Sequence, residues 1–541
     1  MASACFAAIS PFFWWGNASG HDFEFHMLSW MEVLGQWKHG IIYPRWAALA
    51  HWGYGEARFL FYPPASWTLG AALGVVLPWK MVPGAYCWVA LALAGAAMYR
   101  LARNWLPAPD ALFAAVFYAL NPYHLLIVYW RSAYAELLAA ALLPLLLVCL
   151  LRIFSVSEPG LRPSLWLSLL LAAAWLTNAP AAIMIHYSAA GLALLLAAYK
   201  AATERDRAGA LWRPLIRTAL AMLLGAGLAS FYLLPAIYEQ RWINLSEVLA
   251  PGVRPQDNFL FTPTADPDHN RFNLLVSIIA LAEIAALTFA MWFSRRKRRP
   301  ATSSVTLWIL LGAWGTSSAF FMLSPSNPLW QYLPKFRFAQ LPFRWLLCMN
   351  AALAMLLAMA ARRWTSRVLV CASLLGVIIL AGYRTQSPWW DTAADVREMR
   401  DAVADGGGYE GTDEYVPAGV DAYELNKDLP RISDDNGSPV AGKILAWRET
   451  EKHFTVYAAS PQTLTVRLFN YPAWEVVVNG KPAATRTTDV TGLIVIPVAA
   501  GESDVQIKFR RTIDRLAGNA ISLISLAGFV FLWKRTRQRG T

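Results

Sequence analysis

Close to the N-terminus the chain reads Gly20-His21-Asp22-Phe23-Glu24-Phe25-His26. Carboxylates and imidazoles this close together offer a general base, a hydrogen-bonding acid or ligands for a hard metal ion. The apolar residues Phe23, Met27, Trp30, Met31 and Leu34 recur at helical spacing, which predicts an amphipathic helix at a membrane interface. On that helix Asp22 and His26 share a face, and His21 and Glu24 share a flank. Asp22 stands at the helix N-terminus, where it serves either as a cap or, kept ionised by the helix end, as a general base. Glu24 is the alternative catalytic acid, with His21 and His26 as substrate contacts. The four residues also supply ligand types for a divalent cation, though no recognised zinc spacing is present.

A second group is basic. Arg131, Arg241, Arg254, Lys335, Arg337 and Arg344 fall at helix ends or in loops on the side where basic residues are normally sparse. An anionic ligand such as a lipid phosphate gives arginines a reason to be there, and Arg131, Arg337 and Arg344 are the candidate contacts. Each has an alternative as a membrane anchor or an ion-pair partner, such as Arg131 with Glu136. Asn121-Pro122-Tyr123-His124 reads as a break in an apolar helix, expected to line a cavity and to bring His124 to substrate. The loop 257–271, with Asp266, Asp268 and His269, reads as a solvated connector, with closure over a substrate as the alternative.

The elements that must position these residues are membrane helices. Hydrophobic residues make up 57% of the 541 and charged residues 15%, against roughly 25% charged in soluble domains. Apolar stretches at 82–101, 111–130, 133–151, 164–177, 180–199, 215–238, 273–293, 304–323, 345–361, 368–383 and 516–533, with a short N-terminal run at 2–15, predict about twelve spans. The N-terminal run is below the roughly twenty residues a span needs, so either this helix is short or the chain extends upstream. The net charge of +12 does not indicate nucleic acid, because the basic residues sit in short runs beside apolar stretches, as at 295–299, where they act as topology signals. The five cysteines lie in apolar stretches, which excludes a disulfide scaffold.

Loop charge places the basic loops on the cytoplasmic side if 61–79 lies at the interface instead of spanning. It also leaves 16–81 as one long external loop carrying the active site of a membrane domain at 1–383. By the same parity 384–515 is extracytoplasmic, and 516–541 is a last span with a basic cytoplasmic tail. From about 440 the C-terminal region alternates in strand fashion, with Asn479-Gly480 as a type I′ hairpin signal, which predicts a β-sandwich. The fold class is thus an all-α polytopic membrane domain carrying an extracytoplasmic β-sandwich.

Several of these motifs together resemble one bacterial family. They are Gly20-His21-Asp22 with Phe25-His26, Tyr43-Pro44-Arg45-Trp46, Gly53-Tyr54-Gly55, Phe61-Tyr62-Pro63-Pro64, Asn121-Pro122-Tyr123, Arg131-Ser132-Ala133-Tyr134-Ala135-Glu136 and Gln340-Leu341-Pro342-Phe343-Arg344-Trp345. The family consists of membrane proteins labelled 6-pyruvoyl-tetrahydropterin-synthase-related, and the resemblance covers about 16–345. The architecture is similar to GT-C glycosyltransferases. That resemblance implies an inner-membrane enzyme transferring a sugar from a polyprenyl-phosphate donor to an envelope glycan, lipid or protein. It assigns Asp22 as base, Glu24 as alternative, and Arg131 or Arg344 as phosphate contact. The competing expectations are a transporter or lipid-glycan flippase, and a non-catalytic scaffold.

Overall fold

A computed structural model describes residues 1–155, 160–203, 207–296, 302–361, 363–384 and 389–538. The basic positions Lys297, Arg298, Arg299, Arg362 and Arg539, used above as topology signals, lie outside the described residues. Among the described residues, nine helices are long and apolar enough to cross a membrane, and a tenth span forms if Val305–Phe321 and Ser324–Tyr332, bent by 92°, count as one. Of the remaining expected spans, Ala2–Trp15 is a shorter apolar helix, and Arg162–Thr177 has 16 residues. The chain is a multi-pass membrane protein with a C-terminal β domain.

Arg162 reaches the Thr536 carbonyl at 3.3 Å, and Arg367 pairs with Asp110 at 2.6 Å, so helix ends from distant parts of the chain meet in pairs. The loop 16–81 packs against the connection that follows Arg131 and against the β domain. The segment expected to lie at the interface is Pro64–Val76, 13 residues. It is about 20 Å long, too short for a hydrocarbon layer of about 30 Å. Leu77 and Pro78 then turn the chain into Trp79–Ala102.

The helix Phe23–Lys38 differs from the amphipathic interfacial helix expected. Polar residues on it are buried as well as apolar ones, including Ser29, Glu32 and Gln36. Glu32 accepts the Tyr409 hydroxyl and the Ala48 amide, and Gln36 donates to the Trp46 carbonyl. A helix packed on both flanks by its own loop and by the C-terminal region has no free face for lipid.

The β domain has two antiparallel sheets. One runs in the order Gly442–Arg448, Glu451–Ala458, Gly501–Phe509, Trp474–Val478, Lys481–Pro482, and the other Ile432–Ser433, Gln462–Phe469, Leu493–Val498, Arg486–Thr487. Inward residues such as Phe454, Val456, Leu464, Val466, Ile494 and Ile507 are buried and share one core, as in a sandwich. Asn479 and Gly480 both have positive φ, 50° and 77°, which is the type I′ turn expected. Of the aromatics in this region, Tyr471 and Trp474 are core and Tyr457 is exposed. Trp46, Tyr54, Ala57 and Leu60 from the first loop are part of the same core, so loop and sandwich are one packed body. Asn17–Ala18 also pairs with Trp390–Asp391, tying both ends of this region to the bundle.

Candidate active site

Proline sets the local geometry. Helix Ala108–Ala119 stops before Pro122, whose ring excludes the residue ahead of it from helical geometry, and Asn121 caps the restart by accepting from the His124 amide at 3.0 Å. The chain continues as Pro122–Leu126 and then widens into a π turn, Ile127–Arg131, closed by Ser132 at φ 49°. Turns of this kind recur at functional sites because they re-aim one side chain; here that side chain is Arg131.

The Gly20-His21-Asp22 segment lies along this opened end. The His21 and Asp22 amides donate to the carbonyls of Trp130 (3.3 Å) and Arg131 (3.0 Å), and the Gly20 amide donates to Ser132 Oγ (2.9 Å), which donates to the Ala18 carbonyl (3.1 Å). A Cβ at Gly20 would stand 2.4 Å from the Trp130 carbonyl oxygen, so the glycine is required by close approach. Gly20→Ala is therefore expected to destabilise the protein by about 1–3 kcal/mol and to shift Asp22. The checks are a lowered Tm and loss of activity; an unchanged Tm would mean the two segments separate freely.

Above this junction opens a cavity of 1330 Å³. Its polar end is lined by His21, Asp22, Arg131, Glu136, Arg344 and Glu414, and its apolar flank by residues of four helices, among them Trp175, Ile183, Met222, Leu223 and Ile237. Glu136, buried, joins the two arginines: Arg131 Nη1 donates to its Oε2 at 2.7 Å and Arg344 Nε to the same oxygen at 3.1 Å, while the Tyr123 hydroxyl donates to Oε1 at 2.6 Å. Arg344 Nη1 also donates to the Ala339 carbonyl and to Gln340 Oε1. Nη2 of each arginine makes no hydrogen bond among the described residues. Two guanidiniums against one carboxylate leave one positive charge in excess, with free donors on residues that line the cavity, an arrangement suited to phosphate.

Asp22 occupies the N-cap position of Phe23–Lys38 but its side chain makes no capping bond. Its carboxylate has no hydrogen bond or ion pair among the described residues, and the capping alternative is not realised. Burial holds it above the usual carboxylate range, against the opposing pull of Arg131 and Arg344. Desolvation outweighing two cations makes it a better proton acceptor than a surface aspartate. His21, at the rim, is pushed below the ordinary imidazole range by desolvation and by Arg131.

The structure thus brings together His21, Asp22, Arg131 and Arg344, and separates the other candidates from them. Glu24 is exposed and does not line the cavity. His26 is enclosed by the rings of Phe25, Trp30, Tyr62 and Tyr134, and burial drops it to about 3, so it is a neutral packing residue. His124 is buried against Tyr118 and bonded to the Ala119 carbonyl at 3.2 Å; the helix break exists, but Asn121 and His124 face Asn350 and the bundle interior, away from the cavity. Arg337 is exposed, stacks on Phe338 and borders a smaller separate pocket. Arg241 stacks on Tyr238 and Arg254 pairs with Asp257. His21 and Asp22 line the cavity while Glu24 is exposed and His26 lies among rings, so among the described residues the four do not converge as a ligand set. In the loop 257–271, Asp266 and Asp268 are solvated as expected, but His269 lines the cavity.

The sequence reading missed the C-terminal contribution. Thr412, Glu414 and Tyr415 complete the polar end. The buried Glu56 and Arg58 clamp this stretch: the Thr412 amide donates to Glu56 Oε2 at 2.8 Å, and Arg58 Nη2 donates to Thr412 Oγ1 at 3.1 Å.

A family model described as a 6-pyruvoyl-tetrahydropterin synthase related domain, a membrane protein, matches residues 59–387. The matched stretch holds Arg131, Glu136 and Arg344; Asp22 precedes it and Glu414 follows it. No curated protein matches the chain. Among solved structures, the chain is similar to ArnT from Cupriavidus metallidurans bound to undecaprenyl phosphate, with a TM-score of 0.43 and 14% identity over 75% of each chain. It is also similar to apo ArnT from the same organism (TM-score 0.42, 16% identity, 74% of this chain and 76% of that one). A third similarity is to the apo oligosaccharyltransferase of Archaeoglobus fulgidus (TM-score 0.38, 13% identity, 76% of this chain and 56% of that one).

Proposed function

From the premise that the chain belongs to the 6-pyruvoyl-tetrahydropterin synthase related family of membrane proteins, we propose that it is a GT-C-like glycosyltransferase. It transfers a sugar from a polyprenyl-phosphate donor to a cell-envelope acceptor at the outer face of the inner membrane, with the β-sandwich extracytoplasmic. The observation that carries this reading is the two-ended cavity: an apolar flank among membrane helices leads to a pair of arginines with surplus charge, beside a carboxylate with no partner. A long isoprenoid tail fits the first feature, its phosphate the second, and proton removal from an acceptor the third.

In this reaction Asp22 takes the proton of the acceptor hydroxyl, and the acceptor oxygen forms a bond to the sugar's anomeric carbon. The bond between that carbon and the phosphate oxygen breaks, and the polyprenyl phosphate leaves with its new charge met by Arg131 and Arg344. Donor binding also sharpens the base, because a phosphate that takes up the arginine charge weakens their hold on the ionised form of Asp22.

The test is binding of polyprenyl phosphate to the purified protein, followed as a thermal shift. A long-chain polyprenyl phosphate is expected to stabilise the wild type, and the same lipid without phosphate is expected to do so much less. In Arg344→Ala the phosphate-dependent part should fall by about 1.5–3 kcal/mol, the worth of a charge-assisted hydrogen bond. Equal shifts with and without phosphate would sink the donor assignment.

A further inference from the structure

We propose that the acceptor is a carbohydrate hydroxyl, and that it is seated by Glu414 and the rings of Phe25, Phe61, Tyr62 and Tyr415 at the polar end of the cavity. This deepens, and rests on, the glycosyl-transfer reading above.

Four buried carboxylates of this region are committed to protein partners: Glu32 to Tyr409 and backbone amides, Glu56 to Arg58 and Thr412, Glu136 to the two arginines, Glu239 to Arg515 and Tyr471. Glu414, whose side chain is hydrogen-bonded by Tyr415 next to it, and Asp22 both line the cavity. Neither has an ion-pair partner among the described residues. A carboxyl group taken from water without a cation is costly, so its place on a cavity wall points to a ligand that completes its hydrogen bonding.

The rings specify the ligand's chemistry. Phe61 and Tyr415 lie parallel, with an interplanar angle of 5° and centroids 6.3 Å apart, and Phe25 meets Tyr62 at 4.8 Å. All four line the same cavity as Glu414. Aromatic faces next to a carboxyl suit a ring that is apolar on one face and hydroxylated at its edge, which describes a sugar. The groups acting on Glu414 agree. Burial, with Glu56 and Asp22 adding to it, pushes its carboxyl up to about 7 against the opposing influence of Tyr415 and Arg58. A carboxyl that keeps its proton near neutrality donates to one hydroxyl and accepts from another. Its carrier, the stretch around Thr412, is fixed by Glu56 and Arg58 and is therefore preorganised.

The experiment compares the full-length wild type, Glu414→Gln and Glu414→Ala by saturation-transfer NMR with an oligosaccharide fraction released from the cell envelope. Polyprenyl-phosphate thermal shifts are measured on the same samples. The expected result is at least about tenfold weaker oligosaccharide binding in Glu414→Ala, the worth of one buried hydrogen bond, with a smaller loss in Glu414→Gln and unaltered polyprenyl-phosphate shifts in both. Oligosaccharide binding that is absent in the wild type, or equal in all three proteins, overturns the acceptor site and leaves the donor reading standing. Absence of a polyprenyl-phosphate shift in the wild type overturns the transfer reading and the acceptor role with it.

Discussion

Asp22→Asn is expected to lower sugar transfer by about 10²- to 10⁴-fold, the range for loss of a positioned general base, while polyprenyl-phosphate binding stays close to wild type. Asparagine fills the same volume and leaves the Asp22 amide bonded to the Arg131 carbonyl, so the segment keeps its course. It replaces a basic carboxylate oxygen with an amide NH2 that cannot accept the proton. The wild-type rate should fall as pH drops through the Asp22 pKa, and that limb should lie above the ordinary value of 3.8 because burial raises it. The stability effect has the opposite sense to a salt-bridged aspartate. A carboxyl whose folded pKa is raised binds more protons folded than unfolded, so its contribution to stability is present at low pH and is lost as pH rises through the raised pKa. Asp22→Asn should therefore have a Tm at neutral pH equal to or above that of the wild type. A full-rate Asp22→Asn would remove Asp22 from the chemistry, and a variant with a lowered Tm would make it a structural residue.

Glu136→Gln is expected to have the largest effect on stability. Glu136 is 1% exposed, and its two oxygens take up Arg131, Arg344 and the Tyr123 hydroxyl. Removing one member of a buried charged group leaves the others unneutralised, a loss of about 3–5 kcal/mol. Tyr123→Phe removes the hydrogen bond that its hydroxyl donates to Glu136 and the one it accepts from Arg131 but leaves every charge paired, so it should lose less, about 1.5–3 kcal/mol. The measurement is Tm in detergent for the three proteins, with polyprenyl-phosphate binding alongside. Without Glu136 the guanidiniums repel each other and lose their shared anchor, so residual folded protein should bind the phosphate less well. Equal Tm values for Glu136→Gln and wild type would mean that the two arginines are already neutralised by something else.

Much of this arrangement was legible in the residues because its signals are local. Apolar length marked the helices. Alternation and Asn479-Gly480 marked the sandwich down to its hairpin turn. Arg131, Arg344 and Asp22 stood out because each is charged beside an apolar stretch. The residues that failed are those for which type and spacing were right but direction was not. His26 lies one helical turn from Asp22, yet the helix is buried on both flanks and its imidazole ends among rings. Glu24 follows Asp22 by two positions, and its carboxylate ends on the solvent side. His124 sits at the predicted break, turned into the bundle. Glu414 was invisible for another reason. Nearly four hundred residues separate it from Asp22, and it lies in an acidic stretch with no periodicity. Its location depends on Glu56 and Arg58 gripping Thr412, a tertiary contact with no local signature. The only hint was an acid directly ahead of a tyrosine within that stretch, Glu414-Tyr415.

The proposed function stands or falls with sugar transfer in the Asp22 cavity. The most direct test is turnover by the purified full-length protein in detergent, supplied with labelled polyprenyl-phosphate sugars and a cell-envelope acceptor fraction, with and without divalent cation, for wild type and Asp22→Asn. Label passing from the lipid to the envelope fraction with wild type, and not with a stably folded Asp22→Asn, is the result predicted. Label remaining on the lipid with every donor, or passing equally well with Asp22→Asn, would contradict it.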